Sequence, residues 1–129
     1  MATYALNLSD VPLPVVKLHP TVVLSILNHY IRRDDRQTRV IGTLLGVRTE
    51  GNVEISECFG VPHQEKSSEG YVAINMDYHK SMFACHSRIN RREVICGWYT
   101  TTTPDGAFII DNSSLINEFY EGECQAPIH

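Results

Sequence analysis

The stretch that decides the fold is Arg39-Val40-Ile41-Gly42-Thr43-Leu44-Leu45-Gly46-Val47. Its nearly continuous apolar character fits a strand buried on both faces. Gly42 and Gly46 interrupt it where a bulge or a close backbone approach is expected. Glu50-Gly51-Asn52 then reads as a turn, and Val53, Ile55 and Cys58 to Val61 continue as a second strand. The two strands form a hairpin.

Upstream, Val15 to His19 is a short strand and Pro20 suits the first turn of a helix. Val22, Val23, Ile26, Leu27 and Tyr30 recur at helical spacing, giving an amphipathic helix over 20–32. The mixed charges Arg32 to Arg36 form the following turn. Residues 1–14, ending in Val11-Pro12-Leu13-Pro14, read as a loosely held lead-in.

Downstream, Pro62 to Gly70 is polar and reads as a loop. Tyr71 to Ile74 resumes strand character. Asn75 or Asp77 then caps a helix to Ile89, with Met82, Phe83, His86 and Ile89 on one face. Val94 to Tyr99 is a strand, Thr100 to Gly106 a loop, and Ile109-Ile110 a short extended piece. Asn112 or Ser113 caps a last helix through Tyr120, stopped by Gly122. Strands alternating with helices after an early hairpin predict an α/β (α+β) fold, a mixed sheet flanked by helices.

Composition narrows function by exclusion. The 129 residues amount to one domain. Lys and Arg total 11 against 15 Asp and Glu, a formal charge of −4, which disfavours a nucleic-acid binder that works by neutralising phosphates. No run approaches the roughly 20 apolar residues that span a bilayer. Cys58, Cys85, Cys96 and Cys124 are scattered and three lie in apolar elements, so free core thiols of a reducing compartment are expected.

Six histidines invite a metal site, yet no His-x-His or His-x-x-x-His spacing occurs. His79 and His86, seven apart, share a helix face without sharing a metal. Ser113, Ser114 and Cys96 lack a nucleophile-elbow pattern, and cap hydroxyls and a buried thiol explain them. Arg88, Arg91 and Arg92 read as a solvated turn after a helix, with an acidic partner or RNA as the alternative.

Four strings together are more specific. Val16-Lys-Leu-His-Pro20, Arg39 to Gly46, Val61-Pro-His63 and Gly97-Trp-Tyr99 resemble, in order and spacing, the MPN domain, also called JAB or Mov34. The resemblance covers residues 15–129. It implies an MPN/JAMM-like mixed sheet flanked by helices, ending here before the family's last strand and C-terminal helices.

Some members of that family are zinc isopeptidases. Two His and an Asp hold the metal, a Glu activates its water, and a Ser stabilises the oxyanion. The resemblance places Arg39 at the Glu position, Thr100 and Thr102 at the two His positions, and Thr103 where a Pro follows. Ile110 and Ser113 fall at the Ser and Asp positions. Neither Glu54 nor Asp111 restores the missing imidazoles. The resemblance therefore implies a non-catalytic MPN domain with no metal and no cofactor.

Inactive members are paired scaffolds in the proteasome lid, the COP9 signalosome and translation initiation factor three. Val61-Pro-His-Gln-Glu65, Val72 to Tyr78, Ser114 to Tyr120 and Ala126 to His129 look most like the initiation-factor branch, although Thr100 to Gly106 departs from its loop. That likeness implies a cytoplasmic subunit paired with a second, h-like MPN subunit and carried to the 40S ribosome within the complex, without direct DNA or membrane contact. Val22, Val23, Ile26, Tyr30, Tyr78, Met82 and Phe83 are the candidate pairing residues. The alternatives are a lid or signalosome subunit, an isopeptidase with an unconventional site, or a ubiquitin-binding module.

Overall fold

The computed structural model describes residues 14–66, 70–107, 109–110 and 112–129. The lead-in up to residue 13 lies outside them, as does Asp111. In chain order the elements are β1 (Val15–Leu18), α1 (Pro20–Ile31), β2 (Ile41–Thr49), β3 (Asn52–Gly60), β4 (His63–Lys66), β5 (Tyr71–Ile74), α2 (Met76–Ile89), β6 (Val94–Thr100) and α3 (Asn112–Glu123).

The main sheet runs β1-β3-β2-β6. β1 lies parallel to β3, while β2 is antiparallel to both neighbours, so the sheet is mixed as the alternation predicts. β2 takes its central place because residues 41–46 are all buried. Its register slips at Leu45/Gly46 against β3 and at Leu44/Leu45 against β6. Both glycines are sterically required. A Cβ at Gly42 would collide with the Tyr99 ring, and one at Gly46 with the Glu54 carbonyl.

Alternation from Val40 into β2 feeds two cores, with Val40 and Leu44 on one face and Ile41 and Leu45 on the other. On one face Val22 of α1 packs with Val40, Leu44, Val53, Ile55, Cys58, Cys96 and Tyr99. On the other, Ile41, Leu45, Phe59, Val61, Ile95 and Trp98 meet Ile116 and Tyr120 of α3, with Met82 and Phe83 of α2 packed against them.

Some expectations are corrected. The segment expected as a loop over 62–70 contains β4, paired antiparallel with β5 from His63↔Ile74 to Lys66↔Tyr71. It carries no apolar anchor because its contribution is polar: Glu65 serves a buried cation. Ile89 is not on the packed face of α2 but is 86% exposed. α3 runs through Gly122 to Glu123 instead of stopping at Tyr120. Ile109 and Ile110 are not in a strand. All four cysteines are unbridged, but Cys85 is exposed and Cys124 only partly buried, so the core thiols are Cys58 and Cys96. Asn75 caps α2, its side chain accepting from the Tyr78 amide at 3.0 Å.

Candidate functional site

Of the five positions that the family resemblance marks as degenerate, two, Thr100 and Ser113, meet the guanidinium of a third, Arg39. Arg39, just before β2, is 1% exposed. Its Nε donates to Glu65 Oε1 at 2.6 Å and its Nη2 to Glu65 Oε2 at 2.9 Å, a bidentate fork. Nη1 reaches Thr100 Oγ1 at 3.3 Å and Ser113 Oγ at 3.5 Å. Ile110 joins through its backbone, donating its amide to Ser113 Oγ at 3.1 Å. Thr102 lies on the half-buried loop after β6 and is not among Arg39's described partners.

Glu65 is held from further sides. His63 Nε2 donates to Oε1 at 3.1 Å, and Asn112 Nδ2 to Oε2 at 3.4 Å. Burial alone would raise the Glu65 carboxyl. The hydrogen bonds from His63 and Arg39, with their charges, outweigh it and bring the pKa down to about 2. Arg39 thus ties the start of β2, β4, the end of β6 and the start of α3 into one polar knot.

Sequence reasoning missed Glu65, His63 and Asn112 as members of this knot. One signal was present: an arginine opening a doubly buried strand must have a carboxylate partner, and His63-x-Glu65 alternates in strand fashion.

This set does not fit the zinc that the catalytic family members use. The centre already holds a permanent positive charge, Arg39 meets threonine and serine hydroxyls at positions that the resemblance gives to metal ligands, and the His63 imidazole is committed to Glu65. Arginine stays protonated, so it cannot be the general base.

Beside the knot runs a groove of about 580 Å³ lined by Trp98, Ile109, Ile110, Ser113, Ser114, Asn117 and His129. Trp98 is fixed from both ends. Its Nε1 donates to Asn117 Oδ1 at 3.1 Å, and the His129 ring stacks on it at 4.0 Å. Ile128 bridges Gly97 in parallel register, and Arg48 Nη2 holds both Cys96 O and Ala126 O.

The other chemical candidates resolve into structural parts. His79 is buried, its Nδ1 shares Thr43 Oγ1 (3.1 Å) with Tyr120 Oη (2.8 Å), and burial lowers its pKa. His79 and His86 do share a face, and both pack on the Phe59 ring. Burial raises the Cys96 thiol, so it is a poor nucleophile. Among the candidate pairing residues, Val22 is in the first core with Ile26 and Tyr30 packed against it, while Met82 and Phe83 pack against the second core from partly buried positions. Val23 and Tyr78 are exposed, and α1 also shows Leu24, Leu27 and Ile31 to solvent.

Residues 13–126 match the family described as JAB1/Mov34/MPN/PAD-1 ubiquitin protease. Similar proteins include the F subunits of eukaryotic translation initiation factor 3 from three organisms. That of Mycosarcoma maydis is 48% identical over 84% of this chain, that of Dictyostelium discoideum 46% over 88%, and that of Arabidopsis thaliana 43% over 88%. The chain spans only 35%, 38% and 37% of those relatives, respectively. The family match over nearly the whole chain, on a mixed sheet centred on the Gly42–Gly46 strand, means that the chain belongs to the JAB1/Mov34/MPN/PAD-1 family.

Proposed function

We propose that this protein is a non-catalytic MPN subunit of translation initiation factor 3, acting as a scaffold in the cytoplasm. The observation that supports this reading is the buried Arg39–Glu65 pair, a fixed cation at the position to which the family resemblance assigns the general base. The similar initiation-factor-3 proteins support the assembly to which it belongs. Within it the chain pairs with a second MPN subunit of the h type, and the complex carries it to the 40S ribosome.

The helix α1 suits such pairing. Val23, Leu24, Leu27 and Ile31 form an exposed apolar stripe on a helix whose other face, through Val22, is already in the core. The test is co-expression with the h-type subunit of the same organism. Val23→Asp with Leu27→Asp, both at exposed positions, is expected to abolish co-elution while leaving the thermal melt within a few degrees. Unimpaired co-elution would remove α1 from the interface. Zinc-dependent cleavage of ubiquitin chains by the purified protein would overturn the non-catalytic reading itself.

A further inference from the structure

The end of α2 and the turn that follows it, Arg88-Ile89-Asn90-Arg91-Arg92, have no folding explanation for their composition. Ile89 is 86% exposed, more than any other large apolar residue described. Arg88, Arg91 and Arg92 surround it in sequence and all are exposed. Among the described residues none of the three makes a side-chain ion pair or hydrogen bond. The neighbouring acid does not neutralise them: Glu93 is buried and accepts from Ser56 Oγ at 2.8 Å. The turn itself is held by backbone, with the Asn90 amide bonded to His86 O and Asn90 Oδ1 accepting from the Arg92 amide. The side chains are therefore free to serve something else. Cations at a helix C-terminus are favoured by the dipole, which accounts for Arg88 but not for Arg91, Arg92 or a bare isoleucine.

We propose that this turn docks onto an acidic protein surface of a neighbouring subunit, with Ile89 entering an apolar pocket rimmed by carboxylates. An apolar centre ringed by arginines, with no lysine among them, is the composition of a protein interface, where arginine is enriched and lysine depleted. Each guanidinium can fork onto a carboxylate. Charge complementarity selects an acidic occupant. RNA is the poorer fit, because isoleucine offers no ring for base stacking and the chain as a whole is at −4. Three phosphate contacts alone would also dissolve quickly with salt, at a slope of about −0.7 each. The proposal rests on the assembly reading above and concerns a surface distinct from α1.

The experiment uses the full-length protein in cells, carrying a photo-crosslinking amino acid at position 89, and in parallel the Arg88→Glu/Arg91→Glu/Arg92→Glu and Ile89→Asp variants. All four positions are exposed, so folding is unaffected, which the melt verifies. The expected result is a crosslink to an acidic patch on a partner subunit, and recovery of that subunit reduced about tenfold or more in either variant. A crosslink to RNA, no crosslink, or unchanged recovery in both variants would overturn the proposal. A protein crosslink at 89 to a subunit of a different complex would sink the assembly reading while leaving the docking surface standing.

Discussion

Replacing Arg39 by methionine removes the guanidinium but keeps an unbranched stem of similar length. Glu65, with an 11% exposed side chain, is then left without its bidentate partner, and Thr100 and Ser113 each lose a donor. Removing one member of a buried pair costs about 3–5 kcal/mol, chiefly through the stranded charge. In a chain of this size that lowers the melting temperature by about 10 °C or more. The same pair replaced on both sides, Arg39→Met with Glu65→Leu, leaves no buried charge behind, so the double variant should recover at least half of the loss. Urea unfolding of wild type, both single variants and the double variant gives the cycle directly. The pH dependence adds an independent check. Glu65 sits near 2 in the folded protein against about 4.5 unfolded, so its stabilisation is complete above about pH 4.5 and is lost as pH falls toward 2. In Arg39→Met the folded value rises, because burial is then opposed by His63 alone, so that acid limb should shrink. Single-variant costs below about 1 kcal/mol, or costs that simply add in the double variant, would refute the account of this pair.

Other positions give equally definite expectations. Gly46→Ala forces a Cβ onto the Glu54 carbonyl and should destabilise by several kcal/mol or prevent folding, whereas Gly122→Ala, whose Cβ meets nothing, should be neutral or slightly stabilising; thermal melts separate them. Thr43→Val strips the shared hydroxyl from His79 Nδ1 and Tyr120 Oη, at a cost of about 1–3 kcal/mol by chemical denaturation. Because burial holds His79 below its unfolded value, its contribution is full above about pH 6.5 and falls as pH drops through its folded value. In His79→Gln that part of the decline should vanish from a pH series of unfolding curves.

The order of the elements was largely legible because periodicity and punctuation agree. The apolar run within 39–47 fits a doubly buried strand and lies largely in β2, Pro20 and Asn75 start their helices, and Gly51, at φ +75°, turns the hairpin. β4 was hidden because its residues are all polar, and hydrophobic alternation is the signal by which strands are recognised. Ile89 misled for a related reason. Helical spacing says which residues share a face, but not where the neighbouring element stops covering it. At the site, the degenerate positions came from the family resemblance, and the structure brings Arg39, Thr100 and Ser113 together. That Arg39 needs a carboxylate was readable from its place before a buried strand, but which carboxylate answers it across 26 residues was not, since long-range charge pairing leaves no periodic trace.

Membership of translation initiation factor 3 as a subunit without catalysis, proposed above, is a statement about partners. Quantitative affinity purification of the full-length protein from its own cells tests it most directly. The account predicts recovery of the other initiation-factor-3 subunits at near-equal stoichiometry, with an h-type MPN subunit among them. Recovery of proteasome-lid or COP9 signalosome subunits in their place would contradict it.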